Sequence, residues 1–234
     1  MSIGQHNGSR LTGLVSRFGR PGARPENGNG SVVVEPHPAA AVAVEPVHSS
    51  KTLAQFLSMV SQRPAAELVD LGPVIGSNIS FLDDRVGCSK IHVEDLYRDI
   101  DRHAREGTLE QFGEFLGTRF PTRTRSADAV LCWDVFDYLA PPAAAVLADK
   151  VKRMLRPHGL MLAFFGARAS DDTRYTRYHI EDESHLRARY YPSACPRRWV
   201  LQNRDINFLF AGLEIFDSLL LKSGVREILF RKPL

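Results

Sequence analysis

The stretch Ala66-Glu67-Leu68-Val69-Asp70-Leu71-Gly72-Pro73-Val74-Ile75-Gly76-Ser77-Asn78 constrains this chain more than any other. It opens as a short apolar run of the kind that forms a buried strand. It breaks at Gly72-Pro73, a turn signal, and Gly76 follows before Asn78-Ile79-Ser80-Phe81-Leu82 opens a helix. Strand, glycine turn and helix is the geometry that brings backbone N–H groups and a helix N-terminus close to a ligand. A second apolar run, Lys90-Ile91-His92-Val93, ends in Glu94-Asp95. An acid at the end of a second strand accepts hydrogen bonds from ribose hydroxyls. The chain therefore reads as a nucleoside-binding α/β domain.

The rest of the globular region follows the same alternation. Leu53, Phe56, Leu57 and Val60 recur at helical spacing over 51–63, with Ser50 placed to cap and Pro64 to stop. Residues 96–118 read as helix broken near Gly107, and 127–134 as the next strand. Pro141-Pro142 starts a helix to about residue 155. Leu160-Met161-Leu162-Ala163-Phe164-Phe165 is a continuous apolar run and hence a fully buried strand. Residues 167–200 are polar, charged and aromatic without a clear period, and the segment 167–204 reads as a mobile cover over the carboxyl ends of the strands. A helix near 203–211 leads to strands at 213–221 and 225–231, with Ser223-Gly224 as a hairpin turn. The expected fold is α/β: a Rossmann-like, mostly parallel sheet with helices on both faces and a C-terminal antiparallel β-hairpin. Ligands on such sheets sit beyond the carboxyl ends of the strands.

Residues 1–50 differ in composition, rich in Gly and Pro with Val34-Glu35-Pro36 repeated as Val44-Glu45-Pro46. They read as a flexible leader, and 51–234 as the domain. Within the leader, residues 10–20 place Leu11, Leu14, Val15 and Phe18 on one helical face beside Arg10, Arg17 and Arg20. That pattern offers weak contact with a membrane surface or an organelle transit segment; a disordered tail is the simpler reading. A net charge of +3 makes no demand for nucleic acid. Cys88, Cys132 and Cys195 are too scattered for a metal site or a disulfide framework, and His179 and His185 are isolated, so no metal is expected. Reduced thiols fit a cytoplasmic protein, and no apolar run is long enough to span a bilayer.

With these residues in place, the chain resembles the class I S-adenosylmethionine-dependent methyltransferases over roughly 51–234. Val69-Asp70-Leu71-Gly72 with Gly76 is similar to the family's first motif. Glu94 or Asp95 falls at its ribose-binding acid. Asp128 to Leu139 is similar to the fourth-strand motif, and Met154-Leu155-Arg156-Pro157-His158-Gly159 to the turn before strand five. The resemblance implies S-adenosylmethionine as cofactor, a small-molecule acceptor, and Asp70, Gly72, Gly76, Asn78, Glu94, Asp95 and Trp133 around the cofactor. It departs at Val74, where the family has its middle glycine, and in offering no third strand between 100 and 126. These departures support an alternative, a non-catalytic scaffold or cofactor-sensing module of the same fold. A dehydrogenase is disfavoured, because no G-x-G-x-x-G follows the first strand.

Each candidate also has a plainer structural role. Asp70 either orients the cofactor or pins the turn's N–H groups. Glu94 and Asp95 cannot both face a ribose, because neighbours on a strand point opposite ways. Glu94 is the first acid after the apolar run and is chosen, leaving Asp95 to cap the next helix. Asp134 is the candidate catalytic base, able to take a proton from a substrate hydroxyl or amine. It is equally suited to a helix start. Trp133 and Tyr138 suit the core as well as a substrate wall. The arginines and aromatics of 184–204 suit an acidic substrate or, more simply, a solvated lid.

Overall fold

In a computed structural model the alternation of apolar strands and amphipathic helices resolves into one six-stranded sheet and one three-stranded sheet. The structure describes residues 47–119, 124–197 and 199–234. In chain order the elements are β1 (His48–Ser49), α1 (Lys51–Ser61), β2 (Glu67–Asp70), α2 (Gly76–Asp84), β3 (Lys90–Val93) and α3 (Leu96–Arg105). Then come α4 (Phe112–Arg119), β4 (Ala127–Trp133), α5 (Pro141–Met154), β5 (Leu155–Gly166), β6 (Arg174–Asp182), β7 (His185–Pro192), α6 (Asn203–Leu209), β8 (Glu214–Leu220) and β9 (Val225–Arg231).

The large sheet has the order β3-β2-β4-β5-β9-β8. Strands β3, β2, β4 and β5 are parallel, and β9 and β8 close the sheet antiparallel. Alternate residues of each central strand face opposite sides, so the sheet feeds two cores. Val69, Val130, Cys132, Met161 and Phe165 pack with Ile100 of α3, Leu116 of α4, Leu147 of α5 and Ile206 of α6. Leu68, Leu131, Trp133, Leu162 and Phe164 pack with Phe56 of α1 and Leu82 of α2. Burial of these runs, at roughly 25 cal/mol per Å² of apolar surface, is the main force holding the layers.

The boundaries between β3 and β4 have local causes. The helical region after β3 divides at Gly107, whose φ of +68° takes the chain out of the helix. A 3₁₀ turn at Leu109–Gln111 then leads into α4. No strand forms among the described residues between β3 and β4, in agreement with the sequence, so β3 is a sheet edge. Residues 1–46 of the expected leader, including the amphipathic stretch 10–20, lie outside the described residues. Its last residues lie inside: His48 and Ser49 pair with Leu186 and His185. Ser50 caps α1 by accepting from the Leu53 N–H at 3.0 Å.

The irregular cover expected after β5 needs correction. Residues 174–192 form a regular antiparallel hairpin, β6–β7, which β1 extends to three strands. Thr176, Tyr178, Ile180, Leu186 and Ala188 face inward and are buried, while Arg177, His179, Arg187 and Arg189 lie on the other face, where Tyr175 packs against Tyr97. The period of two is therefore present. Tyrosine, threonine and histidine blur it, because neither face is purely apolar or purely charged.

Candidate functional site

The carboxyl ends of β2, β3 and β4 lie side by side, since Asp70 pairs with both Val93 and Leu131 in parallel register. This brings together the turn after Asp70, the acids Glu94 and Asp95, and the Trp133-Asp134 corner. Sequence reasoning placed its candidates here, and their partners can now be stated.

Asp70 is buried, at 4% exposure, and its Oδ1 accepts from the Gly72 N–H at 2.8 Å and the Trp133 Nε1–H at 2.7 Å. Burial pushes its pKa up to about 6, against the lowering effect of these two donors. Gly72 is tightly enclosed: a Cβ there would lie 2.5 Å from Trp133 Cδ1 and 2.6 Å from its Nε1. The close approach that this glycine permits is thus used by the chain's own indole. Gly76 opens α2 with open space beside it, and Val74 is exposed. Trp133 adopts φ +49°, a left-handed conformation that bulky side chains rarely take.

Asn78 is 2% exposed, and both ends of its amide are engaged by the hairpin. Its Nδ2–H donates to the Tyr178 carbonyl at 2.8 Å, and its Oδ1 accepts from the Ile180 N–H at 2.9 Å. The amide completes the outer edge of β6 as a neighbouring strand would. Tyr178 in turn lies flat on Trp133, centroids 5.4 Å apart and planes 9° apart. Its hydroxyl donates to Asp134 Oδ2 at 3.3 Å.

Asp134 is 1% exposed and also accepts from the Tyr97 hydroxyl. Burial raises its pKa, while Tyr97, Arg197 and Tyr178 pull it down. Burial, reinforced by the Asp134 charge, holds the Tyr97 and Tyr178 hydroxyls well above their ordinary range. Asp137 is fully buried, its Oδ2 accepting from the Gly166 N–H at 2.8 Å. Arg197 stands 3.9 Å from that oxygen, too far for a strong hydrogen bond, and desolvation prevails, pushing the pKa up to about 8.

Glu94 and Asp95 take different partners. Glu94 Oε2 accepts from Arg119 Nη1 at 2.8 Å, and its carbonyl accepts from Arg119 Nη2 at 3.1 Å. Asp95, at φ +36°, caps α3 by accepting from the Arg98 N–H at 3.2 Å. Sequence reasoning missed Tyr97, Tyr178 and Arg119. Only Tyr178 left a signal, its place in the inward alternation of β6.

Beside Leu139, the residue after the Val135–Tyr138 turn, lies an apolar cavity of about 460 Å³. Leu139, Pro141, Ala145, Trp199, Leu201 and Leu209 line it, with Arg204 and Asp205 as polar groups. Among the described residues, no group of His, Cys, Asp and Glu is arranged to hold a metal ion. No helix among them is long and apolar enough to cross a membrane.

The residue types at the strand ends match those that a nucleoside cofactor needs, but in this arrangement they do not fit one. The indole of Trp133 fills the space at Gly72, the Asn78 amide is spent on β6, and the Glu94 carboxylate is paired with Arg119.

No model of a known family matches the chain, and no curated protein matches it. Solved structures do. An S-adenosylmethionine-dependent methyltransferase from Clostridium acetobutylicum aligns with a TM-score of 0.50 at 13% identity, over 80% of this chain and 93% of that one. The 1,6-didemethyltoxoflavin-N1-methyltransferase of Burkholderia thailandensis, solved with S-adenosylhomocysteine, aligns at 0.46 and 16% identity over 79% and 80%. A putative sarcosine dimethylglycine methyltransferase from Galdieria sulphuraria aligns at 0.45 and 16% over 77% and 84%. Together with the strand order and the closing antiparallel hairpin, the Clostridium alignment shows that the chain has the fold of the class I S-adenosylmethionine-dependent methyltransferases.

Proposed function

We propose that the chain is an S-adenosylmethionine-dependent methyltransferase acting on a small-molecule acceptor. One observation supports this reading above the fold itself. Asp70 with its glycine turn, the Glu94-Asp95 pair and the Trp133-Asp134 corner converge at the carboxyl ends of three adjacent parallel strands. That is where an open α/β sheet takes its ligand. The apolar cavity beside Leu139 opens off the turn that follows β4, and is the candidate seat for the acceptor. The three cysteines are buried thiols, in keeping with a reducing compartment, and we place the protein in the cytoplasm.

A second reading, a non-catalytic module of the same fold, draws on the indole that occupies the space beside Gly72. Calorimetry with S-adenosylhomocysteine tests the cofactor site that the first reading needs. If Glu94 holds the ribose, Glu94→Ala removes a charged hydrogen-bond partner worth on the order of 1.5–3 kcal/mol. That is roughly a ten- to hundredfold loss of affinity, with Glu94→Gln in between. Asp95→Ala is the matched control for which neighbour faces the ligand. Binding that neither change weakens would move the ribose elsewhere. Absence of binding, in the wild type and in variants freed of the hairpin contacts, would remove the enzyme reading and leave a scaffold that does not use this cofactor.

A further inference from the structure

We propose that the β6–β7 hairpin and Trp133 form an autoinhibitory cover over the proposed cofactor cleft, with Asn78 as its latch. The inference rests on the placement of the cofactor at the ends of β2, β3 and β4. It adds that the arrangement described is a closed state, and that binding requires a second one.

Three layers of contact define the closed state. At the bottom, the Trp133 indole lies against Gly72 and donates to Asp70, so the space a ligand needs beside the glycine is filled from within. Above it, Tyr178 covers the indole face to face and reaches Asp134 through its hydroxyl. At the top, Asn78 holds the backbone of β6 on either side of His179, through the Tyr178 carbonyl and the Ile180 N–H. Each layer depends on the one above it. The ring of Tyr178 holds Trp133 against Gly72, and the amide of Asn78 holds the strand that carries Tyr178.

The cover is one hydrogen-bonded unit. Its two strands pair with each other over most of their length, residues 167–173 and 193–197 flank it, and its inward side chains Tyr178, Ile180, Leu186 and Ala188 pack with Phe56 and Phe164. Among the described residues, only the two-residue strand β1 pairs with its other edge, aided by the Ser50 N–H, which donates to the Ser184 carbonyl at 2.7 Å. Beneath it, Trp133 is held at φ +49°. A bulky residue keeps such a conformation only where its surroundings over-determine it, and the strain is released when they withdraw. Packed interfaces in general switch between discrete arrangements rather than deform continuously, which suits a two-state cover.

The inference reverses the sign that a direct cofactor contact would give. Were Asn78 a ligand of the cofactor, its loss would weaken binding. As a latch, its loss shifts the population toward the open state and tightens binding, because apparent affinity scales with the competent fraction. Calorimetry with S-adenosylhomocysteine on wild type, Asn78→Ala and Tyr178→Ala tests this. We expect the two variants to bind about tenfold tighter or more than wild type. Hydrogen exchange of residues 174–192 in the unmodified protein is the companion measurement and needs no variant to fold. It should quicken when S-adenosylhomocysteine is added, since the bound state has released the hairpin.

Wild-type binding with hairpin protection unchanged would overturn the cover and leave the cofactor reading intact. Weaker binding by a folded Asn78→Ala would overturn it too, and would make Asn78 a direct contact. If neither wild type nor a variant with a demonstrably released hairpin binds, both the cover and the cofactor reading fall.

Discussion

At the scale of single residues, the buried carboxylates make the sharpest predictions. Asp137 has its pKa raised to about 8 by desolvation, above the roughly 4 of an unfolded chain. Between those values the native state holds more protons than the unfolded one, so stability falls as pH rises through that window. Asp137→Asn can still accept from the Gly166 N–H, and should flatten that part of the stability–pH curve in denaturant titrations. An unchanged slope would mean that Asp137 is ionised through its approach to Arg197. Gly72 makes a second prediction. Gly72→Ala forces a methyl group into the indole of Trp133 and should cost about 1–3 kcal/mol in the unliganded protein. For a chain of this size that lowers Tm by several degrees, at roughly 2–4 °C per kcal/mol. A glycine reserved for an absent ligand would tolerate the change. The sequence made Asp70 and Gly72 legible as a turn, because their roles are local. The occupant of that turn was not legible, since Trp133 comes from the end of a different strand and meets Asp70 only through the register of β2 with β4.

At the scale of elements, the same distinction between local and distant causes decides what could be read. Helix α1 was legible from its apolar spacing and its cap, and the central strands from their apolar runs. The hairpin β6–β7 was not, because its inward face mixes Thr176 and Tyr178 with Ile180 and its outward face mixes tyrosine with arginine. Helix α1 also shows how a cap can serve two purposes. Ser50 Oγ accepts from the Leu53 N–H and donates to Glu227 Oε2 at 2.6 Å, where burial has raised the carboxyl's pKa. Ser50→Ala should therefore cost the cap, about 1 kcal/mol, and leave a buried carboxyl short of a partner. Thermal unfolding of this variant beside Ser50→Thr, which keeps the hydroxyl, would separate the cap from mere packing.

For the whole molecule, the order of the sheet explains why fold was easier to read than site. Parallel strands, crossover helices and a closing hairpin are written as periodicity along the chain. The closed cleft is written as a meeting of α2, β4 and β6, which no single stretch contains. The same view bears on the boundary of the domain. Removing residues 1–46 is expected to leave Tm unchanged, whereas removal through Ser50 takes away β1, the α1 cap and the partner of Glu227, and should lower it by several degrees. Equal melting of the two truncations would show that those contacts contribute nothing. The stacked Trp133–Tyr178 pair has one more consequence. The chain has two tryptophans, Trp133 at 3% exposure and Trp199 at 40%. A ring held parallel to another at 9° in a buried site is an asymmetric chromophore, so the molecule carries its own optical gauge. Whatever compound lifts the hairpin will announce itself in near-ultraviolet dichroism and in the colour of the emitted light, with no label attached and before its identity is known.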